Sequence, residues 1–165
     1  MKVLYPVAYE HTVLEHARKN ELDPYLVLGL IKAESNFVCD AQSHKDAKGL
    51  MQLTDSTAEW VAGKMGMEGF TTDQLSDPEV NISLGCWYLR HLLNSYDGDQ
   101  TLALCAYNAG SGNVDKWLSD SRYSSNGETL DAIPFPETEN YVQNTEKYTK
   151  QYKKLYPSLF DGLGS

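Results

Sequence analysis

The chain has 165 residues, 41% of them hydrophobic, and a formal net charge of -9. That length fits one domain able to bury a real core. The acidic balance argues against nucleic acid or an anionic membrane as the main partner, because both need clustered Lys and Arg to neutralise phosphate, and favours an uncharged or peptide-bearing ligand.

The opening Met1-Lys2-Val3-Leu4-Tyr5-Pro6 lacks the apolar core and small-residue cleavage site of a signal peptide. No window is long and apolar enough to span a membrane, so no integral membrane segment is expected in this chain. A first helix is predicted from about Tyr9 to Lys19. A second follows with Asp23 as N-cap, Pro24 at its first position and Val27, Leu30 and Ile31 at helical spacing. A polar stretch from Asn36 to Lys48 leads into Gly49-Leu50-Met51-Gln52-Leu53. Thr54 or Asp55 then caps a third helix with Ala58, Val61, Ala62 and Met65 inside, broken by Gly66 and Gly69.

Asp77-Pro78 repeats the cap-plus-proline start, and the next helix is apolar on nearly every side from Ile82 to Leu89, as the buried centre of a domain would be. Asp99 starts a helix over Thr101 to Ala109 that Gly110 ends, and a short helix runs from Asn113 to Leu118. A Ser- and Gly-containing loop around Ser121 to Gly127 and the turn marked by Pro134 and Pro136 precede a last helix with Tyr141, Val142, Tyr148, Tyr152 and Leu155 at helical spacing. With no run of alternating residues bounded by hairpin turns, the chain reads as all-α.

Cys39, Cys86 and Cys105 form no Cys-x-x-Cys pair, and His11, His16, His44 and His91 are scattered. They imply no disulfide framework, no metal site and no nucleophilic triad. Trp60, Trp87 and Trp117 could offer stacking faces to a ligand, but their helical settings favour core packing.

Glu34 stands out. It follows Leu30 by four residues and Ile31 by three, so it continues the apolar stripe of the second helix. A carboxylate facing a core is poorly solvated, and in a last helical turn it also meets the negative end of the helix dipole. Both effects favour the protonated form, which can donate a proton near neutral pH. The alternative is a Glu rotated to the rim of the stripe and solvated.

Four segments then occur in order: Glu34-Ser35, Gly49-Leu50-Met51-Gln52, Ala106-Tyr107-Asn108-Ala109-Gly110 and Glu137-Thr138-Glu139-Asn140-Tyr141-Val142. Together they resemble the catalytic domain of a lytic transglycosylase of the soluble (SLT) type, in the lysozyme-like superfamily. The resemblance runs from about Tyr5 to Tyr156, within a single domain expected over 1–165. It implies a helical fold with a cleft for peptidoglycan glycan strands, no cofactor, and Glu34 as the single catalytic acid/base. Most glycosidases add a second carboxylate to support the charge developing at the anomeric carbon. None is evident here, since Asp40, Asp46 and Asp55 lie in a polar loop or at a helix start. The family implies that the N-acetyl carbonyl of the muramic acid residue takes that part. The sugar's own C6 hydroxyl would then close on the anomeric carbon to leave a 1,6-anhydro end.

The resemblance also implies substrate-binding parts for Ser35, Gln52, Tyr107, Asn108, Glu137 and Tyr141. Ser35 could bond substrate, orient Glu34 or only cap its helix. Gln52 offers a donor and an acceptor for N-acetyl or hydroxyl groups, and Gly49 admits close approach of backbone. Tyr107 could steady the carboxyl or the acetamido group, or be plain core. Tyr141 resembles a tyrosine that contacts the catalytic glutamate, and Glu137 an acid that meets the glycan or its stem peptide. Two positions depart from the pattern: Thr54-Asp55 where the family usually has Met-Pro, and Glu139 where it usually has Arg. A monomer acting outside the cytoplasmic membrane is expected, its export element absent from this chain. Rival readings are a goose-type lysozyme-like muramidase that admits water, and a silent cell-wall binding module.

Overall fold

The computed structural model describes residues 2–163, in which the regular structure is seven α-helices: α1 (Glu10–Lys19), α2 (Pro24–Ser35), α3 (Asp55–Lys64), α4 (Pro78–Ser95), α5 (Gln100–Ala109), α6 (Ser111–Leu118) and α7 (Pro136–Leu155). Short 3-10 turns at Lys2–Leu4 and Thr72–Ser76 were not foreseen from the sequence. Among the described residues there is no strand, only two isolated bridges, Gln42 with Lys48 and Lys48 with Leu53. The all-α expectation is met. No described helix is long and apolar enough to cross a membrane.

The chain forms two compact units, one joining the part up to Tyr88 to the part from Thr145 onward, the other spanning Leu89–Asn144. In the first unit the caps read from the sequence do their work. Asp23 accepts the Tyr25 N–H at 2.9 Å, Thr54 accepts the Thr57 N–H at 3.4 Å, and Asp77 accepts the Glu79 N–H at 2.9 Å, each supplying a helix donor that lacks an intrahelical partner. Helix α1 packs on α2; Val13, Leu14 and Ala17 of α1 are buried, and Val27, Leu28, Leu30 and Ile31 of α2 are fully buried. The buried His16 on α1 hydrogen-bonds Glu79 at the start of α4, with Nε2 and Oε1 2.7 Å apart.

The C-terminal half of α7 closes the first unit with tyrosines. Tyr152 is fully buried and donates to the Pro6 carbonyl at 2.7 Å, and Tyr156 donates to the Tyr5 carbonyl at 2.8 Å. Helices α2 and α7 meet at Gly29, where a Cβ would lie 2.5 Å from Thr149 Oγ1 and 2.9 Å from both the Thr145 carbonyl oxygen and the Thr149 nitrogen. Only hydrogen fits there.

In the second unit Asp99 caps α5 by accepting the Leu102 N–H at 3.0 Å, and Leu102 to Ala106 are buried. Gly110, with φ 89°, ends α5 and starts α6, a turn that costs an L-residue far more than glycine. Helix α6 therefore begins at Ser111, two residues before the start read from the sequence. The Ser- and Gly-containing loop is ordered by its own side chains. Ser124 donates to the Thr129 carbonyl at 2.7 Å, and Asn126 accepts the N–H groups of Glu128 and Thr129 at 2.8 Å.

Three packing expectations need correction. Trp117 is buried against Phe135, ring centroids 4.9 Å apart, but Trp60 is 42% exposed and Trp87 half-buried. Helical setting gave the wrong answer for Trp60 because α3 is a surface helix whose buried face holds only Ala58, Val61 and Ala62. Met65, expected on that face, instead ends the helix half-buried.

Candidate active site

Each unit carries its own share of the residues singled out in the sequence. In the first, Glu34 occupies the last turn of α2 and is half-buried, between the core and solvated-rim alternatives. Behind it the chain turns sharply. Asn36 and Phe37 both adopt left-handed backbone, φ 49° and 66°, readily accepted by an asparagine at a helix end but costly for a phenylalanine. Asn36 donates its N–H back to the carbonyls of Ile31 and Lys32, closing the helix one residue after Ser35. Lys32, one turn before this end, lies 5.0 and 4.9 Å over the Tyr5 and Tyr148 rings, and burial pushes its pKa down.

The segment 36–53 folds back so that Lys48 and Leu53 exchange both backbone hydrogen bonds, at 2.9 and 3.0 Å, enclosing the turn Gly49 to Gln52. Gly49 has φ 81°, and a Cβ there would run into the Asn81 side chain and the Leu75 carbonyl. Its N–H donates to the Ala41 carbonyl at 2.9 Å.

Ser35 is buried, and its hydroxyl donates to the Leu50 carbonyl at 2.7 Å, with the Ile31 carbonyl at 3.2 Å. A hydroxyl has one hydrogen to give, and here the protein takes it. Ser35 thus joins the end of Glu34's helix to the Gly49–Gln52 turn. Gln52, left-handed at φ 49°, is similarly committed in part. Its Nε2 donates to the Ala41 carbonyl at 3.0 Å and the Gly49 carbonyl at 2.9 Å. The amide was expected to offer a donor and an acceptor; both hydrogens are spent on the loop, and the acceptor Oε1 is what it can offer a ligand.

Asp40, Asp46 and Asp55 are exposed or held by neighbouring polar side chains. Asp55 pairs with Lys48 at 3.0 Å, Asp46 accepts from Gln42 at 3.1 Å, and Asp40 is exposed on a cavity of about 220 Å³ also lined by Asp73, Lys48 and Gly49. Thr54, one of the two departures, is the N-cap of α3. Glu15, His16 and Glu79 bring ligand-type atoms within 4.8 Å of one another, but His16 and Glu79 are already hydrogen-bonded and Glu15 pairs with Lys19 at 3.0 Å.

In the second unit Tyr107 and Asn108 lie in the last turn of α5, both half-buried. Asn108 Oδ1 accepts from the hydroxyl of Thr138 at 2.8 Å. Thr138, 1% exposed in the first turn of α7, therefore fixes which way the Asn108 amide faces and directs its NH2 group to other partners. Nothing in the sequence marks Thr138 for this part, although it lies inside the last motif. Glu137 beside it is exposed and Tyr141, one turn on, is 7% exposed. Glu139 is exposed as well.

The chain as a whole is similar to known proteins. The family described as the Transglycosylase SLT domain matches residues 11–129, which include every motif but the last. The soluble lytic murein transglycosylase of Escherichia coli K12 is 30% identical over 151 residues, covering 90% of this chain and 23% of the relative. A solved structure of an inactive glutamate-to-glutamine mutant of the lytic transglycosylase Slt from Pseudomonas aeruginosa superposes with a TM-score of 0.81 at 37% identity, covering 93% of this chain and 25% of that one. A complex of the 70-kDa soluble lytic transglycosylase with bulgecin A gives 0.83 at 30% identity, covering 92% and 25%. The chain thus spans about a quarter of the length of these relatives. The match over most of the described residues, together with the seven-helix fold, shows that the chain belongs to the transglycosylase SLT domain family.

Proposed function

We propose that this chain is a peptidoglycan lytic transglycosylase. It would cleave the β-1,4 bond between N-acetylmuramic acid and N-acetylglucosamine and leave 1,6-anhydromuramic acid ends. The observation that carries the reading is Glu34: a half-buried carboxyl at the end of α2, tied through Ser35 to the turn that presents Gln52. In the Pseudomonas relative a glutamate-to-glutamine exchange yields the inactive form, as expected where one carboxyl does the proton transfers.

In this mechanism the Glu34 carboxyl gives its proton to the glycosidic oxygen as the bond to the anomeric carbon breaks, releasing the N-acetylglucosamine hydroxyl. The N-acetyl carbonyl of the muramic residue supports the positive anomeric carbon. The Glu34 carboxylate then takes the proton of the C6 hydroxyl while that oxygen bonds the anomeric carbon. Glu34 ends protonated and no water is consumed. The Gln52 Oε1 would accept from a sugar N–H or hydroxyl. The Asn108 amide hydrogens, Tyr107, Tyr141 and Glu137 would meet the N-acetyl groups and the stem peptide. Ser35 contributes by holding the Gln52 turn against α2. The relatives are named for action on murein, which supports an extracytoplasmic site of action and a glycan-strand substrate for this chain. A monomer suffices for the reaction.

The test is mass spectrometry of the soluble products released from purified peptidoglycan by the chain and by Glu34→Gln. Products ending in 1,6-anhydromuramic acid, absent with the variant, support the proposal. Reducing ends heavier by one water would mean a muramidase, and binding without release by both forms would mean a binding module.

A further inference from the structure

Asn81 stands four positions into α4, outside the four motifs, yet it is completely buried and makes three hydrogen bonds. Its Oδ1 accepts the Met51 N–H at 2.8 Å, and its Nδ2 donates to the Lys48 and Leu75 carbonyls, each at 3.0 Å. A buried amide with both hydrogens and its oxygen bonded has one orientation, and whatever it holds is fixed with it.

What it holds is the turn carrying Gln52. The Lys48 carbonyl and the Met51 N–H belong to the peptide groups that flank Gly49-Leu50, and the Leu50 carbonyl between them is taken by Ser35. The fit is close on both sides. The space a Gly49 Cβ would need is filled by the Asn81 amide, whose Cγ would be 2.9 Å away. One helical turn further along α4, a Cβ on Gly85 would lie 2.8 Å from Met51 Cε and 2.9 Å from Met51 Cβ. Asn81 and Gly85, four residues apart on one face of α4, thus form the seat of the turn.

We infer that Asn81 is a positioning residue for substrate binding: it holds the Gly49–Gln52 turn in the left-handed conformation that presents the Gln52 Oε1 to the glycan. Gln52 at φ 49° gains no steric relief from its own side chain, so its backbone must be held by neighbours. Its side chain reaches back to Ala41 and Gly49, while Asn81 fixes the peptide groups ahead of it. The role rests on the glycan-cleaving function proposed above. It predicts a loss in binding with the proton transfers of Glu34 untouched.

The experiment is steady-state release of muropeptides from solubilised peptidoglycan by the wild-type chain, Asn81→Ala, Asn81→Asp, and Tyr152→Phe as a variant weakened away from the turn, all at a temperature where each is folded. Losing both hydrogen bonds to the turn should raise KM about tenfold or more in Asn81→Ala. Asn81→Asp keeps the acceptor for Met51 but turns a carboxylate toward two carbonyls, and should do at least as badly. The pH profile of kcat should keep its shape, and Tyr152→Phe should stay within about twofold of the wild-type KM. Faster hydrogen exchange of the Gln52 side-chain amide in Asn81→Ala would support the same reading without any turnover. A wild-type KM in both Asn81 variants overturns the inference, as does an equal KM rise in Tyr152→Phe, which would reduce Asn81 to general stability. A wild-type chain that releases nothing refutes the functional proposal instead, a result the activity of the unmodified chain reports by itself.

Discussion

Replacing Gly29 by alanine tests whether α2 is seated as closely as the structure has it. In an ordinary helix this exchange gains about 1 kcal/mol, because alanine loses less conformational entropy than glycine. At Gly29 the added methyl meets Thr149 Oγ1 at 2.5 Å and two backbone atoms of α7 at 2.9 Å, and backbone cannot rotate away as a side chain end can. Overpacking of this kind costs about 1–3 kcal/mol, and the fixed obstacles put it at or beyond the upper end, so the exchange should cost about 2 kcal/mol net. For a chain of this size that lowers Tm by about 4–8 °C. Gly63 supplies the control. It lies in α3 with nothing within 4 Å of its would-be Cβ, so the same exchange should stabilise by about 0.5 kcal/mol, less than the mid-helix value because the helix ends one residue later. Thermal and urea unfolding of both variants measures the pair. A neutral or stabilised Gly29→Ala would refute the close approach of α2 and α7, and with it the account of how α2 is seated.

Ser35→Ala strands the buried Leu50 carbonyl, which should cost about 1–3 kcal/mol in urea unfolding. Product release should fall further than the change in folded fraction accounts for, since the turn loses its tie to α2; an unchanged release rate would refute that. Alkaline stability should report the tyrosines of the first unit. Burial raises the pKa of Tyr152, Tyr5 and Tyr25 above the ordinary 10.0, so the folded chain holds these protons more tightly than the unfolded chain. Their contribution is full below pH 10 and is lost as pH rises past it, so Tm followed by circular dichroism should be level up to about pH 10 and then fall. Tyr152→Phe should flatten that fall while costing about 1 kcal/mol at neutral pH for its bond to Pro6.

Where a capping side chain starts a helix the start was written locally, unlike that of α6, which begins two residues before the position read from the sequence. Asp23, Thr54, Asp77 and Asp99 are short acceptors next to the first helical residues, and a cap acts within three residues of itself, so no tertiary information was needed to find them. The seven helices, Glu34 at the end of α2 and the ordered motifs were legible for the same reason. Tertiary structure decided which atoms remain available for chemistry. From the sequence Gln52 could donate and accept and Ser35 could touch a sugar. Only folding showed that Ala41 and Gly49 consume the Gln52 hydrogens and that Leu50 consumes the Ser35 hydrogen. Asn81 lies 29 residues beyond Gln52 and Thr138 30 beyond Asn108, and nothing local distinguishes them from ordinary polar residues in a helix. Trp60 failed in the opposite direction: its spacing said core, but a helix face is buried only if another element covers it. Periodicity and capping are properties of the chain; which hydrogen-bonding groups are left over, and which faces are covered, depends on residues far apart in sequence that meet only once the chain has folded.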